Sequence, residues 1–256
     1  MGALVQRERR GPVEVVALND PDRMNALSLD LLHQLDAAMV DIAGDDRIGA
    51  VVVTGAGGKA FSAGADLASL IPVVTEQGLA ALFPDPSERF FSRVEKPIVA
   101  AVEGFCLAGG FEVMLGTDLR VAGESATFGL PEVRWGLVPV GGSHVRVPLQ
   151  VPWAVAMQLL LTGRPIPAQR AYEVGLVNEV VPDGTALERA VELAEQITAN
   201  GPLAVRMAKR IAVETLGLDA AFRTEAAMGD PVFKSADAQE GPRAFVERRR
   251  PQFTGR

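Results

Sequence analysis

The sequence predicts an α/β protein built on a largely parallel sheet, and three observations carry that expectation. Short apolar, β-branched runs recur at Val13–Leu18, 48–54, Ile98–Val102 and 118–122. Segments with helical spacing or turn chemistry separate them, which is the alternation that crossover connections produce. From residue 153 onward helical patterns replace the strands almost entirely.

Val13–Leu18 lies between Gly11-Pro12 and Asn19-Asp20-Pro21, turn-forming clusters that bound a strand. A loop over 22–27 leads to Ser28, an N-cap residue whose side-chain oxygen can accept from the first free amides of a helix. In that helix Leu32, Leu35, Met39 and Ile42 recur at steps of three and four, giving one buried face. His33 falls off this stripe and reads as a surface residue. Residues 48–54 are apolar nearly throughout, as expected of a strand covered on both faces.

The glycine-rich 55–60 does not complete a nucleotide-binding loop, because Gly58-Lys59 is followed by Ala60 rather than Ser or Thr. Small residues dominate Phe61-Ser62-Ala63-Gly64-Ala65-Asp66-Leu67 and permit close backbone approach, although Asp66 also fits as a plain helix cap. Between 68 and 93, Pro72, Pro84 and Pro86 break the pattern. A lid-like segment with short helices, anchored by Phe83, Phe90 and Phe91, is expected there.

Ile98–Val102 runs into Gly104-Phe105-Cys106-Leu107-Ala108-Gly109-Gly110-Phe111-Glu112, a turn of small residues followed by a short helix over 110–116. A strand over 118–122 follows. Further on, helices are expected at Trp153–Thr162, stopping at Gly163, and over 167–174, stopping at Gly175. A short strand over 176–181 and helices over 185–200 and Pro202–Leu216 come next, before a tail over 219–253 of alternating charged and apolar residues. No repeat or linker divides the chain. It reads as one domain over 1–256, with a sheet-rich part to about residue 200 and a helical part over 201–256 suited to subunit packing.

At 256 residues the chain can bury a full core without staples. A net charge of −7 disfavours a nucleic-acid-binding surface. No apolar run approaches ~18 residues, so no membrane span is expected. The first ten residues are charged and lack a hydrophobic stretch, so no secretory signal is expected. Cys106 is the only cysteine, which excludes an intrachain disulfide and fits a reducing, cytoplasmic location.

Several chemistries drop out. Serine hydrolysis needs Gly-x-Ser-x-Gly with a histidine base, and that pentapeptide is absent. The two histidines, His33 and His144, offer no metal-ligand spacing, so no metal is expected. Cys106 between Phe105 and Leu107 reads as a small core residue. Glu112 and Glu132 remain. Glu112 lies in the first turn of its helix, where the dipole favours the anion. Glu132 follows Leu130-Pro131, an apolar setting that favours the neutral acid. Two carboxyls in unlike settings can divide acid and base roles. By spacing alone, the pair fits a helix cap and a surface-loop acid equally well.

At these residues the sequence resembles the crotonase superfamily, the enoyl-CoA hydratase/isomerase fold. The likeness runs from Asn25-Ala26-Leu27 through 61–67, 104–112 and Phe128-Gly129-Leu130-Pro131-Glu132 to Gly136-Leu137-Val138-Pro139. It continues at Leu161-Thr162-Gly163, Gly175-Leu176-Val177-Asn178 and Asp237-Ala238-Gln239-Glu240-Gly241. The resemblance implies a spiral of ββα units, with helical C-terminal elements used for trimerisation or for pairing trimers. It implies an acyl-CoA thioester substrate, coenzyme A being part of that substrate, and no further cofactor. Matched by motif, the backbone N–H groups of Ala65 and Gly109 form the oxyanion hole. Glu112 activates water and Glu132 protonates the α-carbon, or the reverse in dehydration. Arg23, Ala26, Ala63, Asp66 and Leu67 are expected around the CoA moiety, and Phe111 and Leu130 around the acyl group. Other enolate chemistry (isomerisation or carbon–carbon cleavage) and non-catalytic CoA-ester binding are the competing readings. Leu130 stands where short-chain hydratases carry glutamine, Phe111 where a small residue is usual, and Ser143-His144-Val145-Arg146 in place of Thr-Gln-Arg. These departures leave the acyl group open between crotonyl and branched, aromatic or carnitine-like chains.

Overall fold

The computed structural model describes residues 3–66 and 69–255. Its first strand, β1 (Val5–Arg10), pairs antiparallel with β2 (Val13–Leu18) through a turn at Gly11, whose φ of +58° suits glycine. The sequence reading missed β1. Its residues are mostly exposed and charged, so no alternation marks it, and Arg7 and Arg9 both pair across the ladder with Glu14. The strands β3 (Ala50–Gly55), β5 (Ile98–Val102), β7 (Leu119–Gly123) and β10 (Glu179–Val181) then add in parallel, giving a six-stranded sheet in the order β1-β2-β3-β5-β7-β10.

Both faces of this sheet are covered, which explains its continuous apolar runs. Val13, Val15, Ala50, Val52, Val99 and Ala101 face α7 (Ala186–Thr198) through Ala186, Ala190, Val191 and Ala194. The alternate residues Val16, Leu18, Val51, Val53, Ala100 and Val102 enter the larger core on the other side, the period-two separation of a pleated strand. Each fully buried side chain of this size contributes ~1.5–3 kcal/mol by leaving water.

A second sheet holds β4 (Ala60–Ser62), β6 (Phe105–Leu107), β8 (Thr127–Gly129) and β9 (Ile166–Pro167), with the first three parallel and β9 antiparallel. Strands β3, β5 and β7 each hand the chain to β4, β6 and β8 within a few residues. A helical segment then returns it: α2 (Leu70–Gln77), α3 (Gly109–Leu115) and a 3-10 turn at Pro131–Trp135. This is the spiral of ββα units that the family likeness implies; periodicity alone indicated a single sheet.

α1 (Leu29–Gly44) starts as expected, with Ser28 Oγ accepting from Leu31 N–H at 3.2 Å. Its buried stripe is Leu31, Leu35, Ala38, Met39 and Ile42; Leu32, expected on the stripe, is only partly buried, and His33 is exposed. Within 68–93, Phe83 and Phe90 meet edge to face at 5.4 Å. The helix α4 (Ser143–Gln150) starts directly after Gly141-Gly142 and carries Pro148 within it, which leaves it without a clear sequence signal. The helices α5 (Trp153–Thr162) and α6 (Ala168–Glu173) follow.

The C-terminal part does more than extend away from the core. The helices α9 (Asp219–Phe233) and α10 (Ala236–Val246) bury Phe222, Phe233, Ala238 and Ala244. Helix α10 lies against the Pro131–Trp135 turn, where Trp135 meets Phe245 edge to face at 5.0 Å. A Cβ at Gly241 would fall 1.7 Å from Trp135 O, so only glycine lets these backbones approach. The helix α8 (Pro202–Leu216) has no buried residue at all. No described helix is long and apolar enough to cross a membrane.

Candidate active site

Two loops from different ββα units meet at the start of α3. The chain turns from β6 into the helix through Ala108, a non-glycine residue held at φ +49° and ψ −129°. That conformation is strained for an L side chain. It is held by a hydrogen bond from Ala108 N–H to Gly129 O at 2.9 Å. The first intrahelical bond runs from Glu112 N–H to Ala108 O, so the Gly109 amide lies ahead of the ladder. Gly110 presses on β4, and a Cβ there would fall 2.6 Å from both Ser62 Cβ and Ser62 O.

The facing loop is set by a parallel bridge between Leu27 and Ala65. Its two hydrogen bonds run from Leu27 N–H to Gly64 O and from Asp66 N–H to Leu27 O, which directs the intervening Ala65 N–H off the ladder. A Cβ built on Gly109 would lie 3.6 Å from Ala65 N, and one built on Gly64 would lie 3.4 Å from Gly109 N. The two loops therefore meet closely at these amides.

Glu112 lies in the first turn of α3, the helix that Gly109 opens, and is buried. Its Oε1 accepts from Gly141 N–H at 2.6 Å and from Ser143 Oγ at 3.0 Å. Burial pushes its carboxyl up to about 7, with the Glu225 charge adding to the rise and the Ser143 and Gly141 donors opposing it. The sequence reading had the helix dipole favouring the anion; desolvation in the folded chain outweighs it. Glu132 sits in the Pro131–Trp135 turn. The residue is half-buried, but its Oε2 is shut from solvent and makes no hydrogen bond within the described structure. Burial first, and Glu112 second, raise its carboxyl well above the ordinary carboxylate range. Two carboxyls that each resist ionisation, close enough to feel each other, can hold and exchange protons near neutral pH.

The residues expected around CoA gather where the 20–27 loop runs beside 63–66. Arg23 donates to Asp20 Oδ2 at 2.8 Å and Asp66 Oδ2 at 3.2 Å, and its side chain remains 56% exposed. Ala26 N–H bonds to Arg23 O, and Ala63 N–H to Met24 O. Leu67 lies outside the described residues. Phe111 and Leu130 depart from expectation. Both have no exposed surface and pack in the main core, Phe111 meeting Phe128 at 6.4 Å between ring centres. They back the site instead of lining it, because Phe111 projects from the core side of α3 while its neighbour Glu112 turns to the site.

Sequence reading missed several supporting groups. Asn25, fully buried, donates to Ala56 O and Ala60 O and accepts from Asp20 N–H, pinning the 20–27 loop to the β3–β4 turn. Gly141 and Ser143 were given no role at the site, although Gly-Gly-Ser ahead of a helical period was an available signal. Arg89 and Glu225 left no trace in local pattern. No group of three His, Cys, Asp or Glu among the described residues is placed to hold a metal.

Comparison with known proteins matches residues 8–256 to the family described as enoyl-CoA hydratase/isomerase. The chain is 46% identical to enoyl-CoA hydratase EchA19 of Mycobacterium tuberculosis over 97% of this chain and 96% of that one. It is 35% identical to the short-chain-enoyl-CoA hydratase of Clostridium acetobutylicum over 95% and 94% of the two chains. The crystal structure of carnitinyl-CoA hydratase from Mycobacterium avium matches with a TM-score of 0.89 at 38% identity, covering 100% of each chain.

Proposed function

This chain belongs to the enoyl-CoA hydratase/isomerase family, and from that premise we propose that it adds water to a 2-enoyl-CoA thioester, or removes it from the 3-hydroxyacyl-CoA. One observation carries the reading: two carboxyls with raised proton affinity, Glu112 and Glu132, lie within each other's field, and Glu112 stands on the helix that Gly109 opens.

The thioester oxygen is held by Ala65 and Gly109 N–H. Ionised Glu112 takes a proton from water as the water oxygen bonds to the β-carbon. The electron pair of the double bond moves toward the thioester oxygen, and the resulting enolate is stabilised by the two amides, each donor worth about 3–4 kcal/mol at the transition state. Neutral Glu132 then delivers its proton to the α-carbon, and exchange with solvent restores both carboxyls. Every atom of the product comes from water and substrate, so the reaction calls for no further cofactor. Arg23, Ala26, Ala63, Asp66 and Leu67 provide the CoA strip in this reading. The test is incubation with a panel of 2-enoyl-CoA esters, following loss of the conjugated thioester absorbance. Turnover is expected on at least one; tight CoA-ester binding with no turnover on any would favour a binding protein instead.

A trimer or pair of trimers is the assembly that best accounts for α8. Leu203, Ile211 and Leu216 are 64%, 62% and 54% exposed on a helix that buries nothing. Apolar side chains left bare on a helix with no buried side suit a partner surface. Leu216, with Leu149 and Met228, borders a cavity of about 780 Å³ between α4 and α9. Light scattering after gel filtration should return three or six times the 27.1 kDa chain mass; a monomer would refute the assembly. We place the reaction in the cytoplasm, a reading that the acyl-CoA substrate and the buried, unbridged Cys106 support.

A further inference from the structure

The two donors on Glu112 Oε1 both come from one turn, residues 140–144, and that turn is gripped at each end by a buried ion pair from elsewhere. Arg89, in the segment before β5, has a side chain with no exposure. Its Nε donates to Val140 O at 2.7 Å and to Glu225 Oε2 at 3.0 Å. Its Nη2 reaches Phe222 O at 3.0 Å, and its guanidinium lies over the Phe83 and Phe222 rings. Glu225, on α9, is 2% exposed and accepts from His144 N–H at 3.1 Å through its other oxygen. Arg89 thus holds the carbonyl immediately before Gly141, and Glu225 holds the amide immediately after Ser143. Between those two anchors, Gly141 N–H and Ser143 Oγ converge on Glu112 Oε1.

We propose that Arg89 and Glu225 are positioning residues for Glu112: their ion pair fixes the 140–144 turn so that Gly141 and Ser143 meet the carboxylate that activates water. The inference rests on the hydratase reading for the role of Glu112, not for the geometry of the clamp. A buried ion pair without such a role can be replaced by apolar residues of similar volume with little consequence. Here the replacement should carry a catalytic signature. The groups that face Glu112 electrostatically are Glu132 from its turn, His144 and Arg146 from α4, and Glu225 from α9. The Glu225 charge raises the Glu112 carboxyl, whereas the Gly141 and Ser143 donors lower it. A through-space link and a positioning link therefore move Glu112 in opposite directions when the pair is removed.

The experiment is the double variant Arg89→Met/Glu225→Leu, which leaves no buried charge unpaired. For an enoyl-CoA that the wild type hydrates, kcat should fall on the order of 10- to 100-fold with KM nearly constant, as expected when a catalytic group is misplaced. In Arg89→Lys, which keeps the Glu225 charge but gives up the fork, the acid limb of the kcat–pH profile should move to higher pH. In a Glu112→Gln background the same double change should alter the residual rate less than about two-fold, since the clamp acts through Glu112. Equal losses in both backgrounds, or an acid limb in Arg89→Lys that stays or moves down, would overturn the proposal. Should the wild type hydrate none of the esters, the hydratase reading fails while the clamp remains measurable. Infrared difference titration of the Glu112 carboxyl, wild type against Glu112→Gln, should show a higher midpoint in Arg89→Lys, where the Glu225 charge is kept. An unchanged or lower one refutes positioning. Should the double variant not fold, Arg89→Lys is measured the same way; it keeps the charge but lacks the fork that spans Val140 O and Glu225.

Discussion

Glu112→Gln and Glu132→Gln are each expected to lower kcat for hydration by about 10²- to 10⁴-fold, the range for losing a general base or acid, with KM changed little. Each substitution keeps the side-chain volume and removes the titrating proton. The Glu112 amide can still accept from Gly141 and Ser143, so a loss of rate reports chemistry and not collapse of the turn. Steady-state kinetics across pH separates the two roles. Hydration requires Glu112 ionised and Glu132 neutral, so the wild-type profile should rise through about 7 as Glu112 loses its proton and fall again where Glu132 loses its own. Glu132→Gln should abolish the alkaline limb. If the acid limb disappears in its place, the roles are reversed, and turnover untouched by either change would sink the two-carboxylate mechanism.

The same raised carboxyl has a cost in stability, and its sign is opposite to that of an ordinary paired acid. Folding lifts Glu112 from its usual 4.5 to about 7, so between those values the native chain binds more protons than the unfolded one. Stability therefore falls as pH rises from about 4.5 to 7 and stays lower above it. The shift corresponds to on the order of 3 kcal/mol. Glu112→Gln removes this penalty, so its melting temperature should exceed that of the wild type at pH 8 and converge with it near pH 4. A variant that melts below the wild type at pH 8 would contradict the burial of an ionisable carboxyl at this place.

Gly109→Ala is the second large effect, because the added methyl enters the space between the two amides. The new Cβ would lie 3.0 Å from Leu27 Cδ1, the end of a flexible side chain, and 3.6 Å from Ala65 N. Leu27 can yield by a few tenths of an ångström, so folding should survive. The thioester oxygen cannot share the position, and kcat/KM should drop by roughly 10²- to 10³-fold, as when an oxyanion donor is lost. Gly110→Ala is the control. Its Cβ would meet Ser62 Cβ and Ser62 O at 2.6 Å, within a tightly packed strand, so it should lower the melting temperature first and activity only in consequence. Full activity in Gly109→Ala would remove Gly109 from the oxyanion hole. Equal thermal destabilisation of the two variants would show that the methyl disturbs packing instead.

The sequence by itself determined the elements whose signal is local. Val13–Leu18 and Ile98–Val102 announce themselves by apolar runs between turn residues, and Ser28 by the helix it caps. Ala65, Gly109, Glu112 and Glu132 stand out through the family likeness, by the order in which small residues and acids occur. Only the tertiary structure decided the rest. Strands of two or three residues such as β4, β6, β8 and β9 are too short to carry a period, and exist because neighbouring units supply their hydrogen bonds. Phe111 could be assigned to core or pocket only once α3 had a core side, and Leu130 only once the chain before the Pro131–Trp135 turn was packed. Charge state was the least legible of all. A helix dipole is local and favoured an ionised Glu112, but desolvation depends on everything folded around the carboxyl. Part of that surrounding is an ion pair whose partners, Arg89 and Glu225, stand 136 residues apart in the chain.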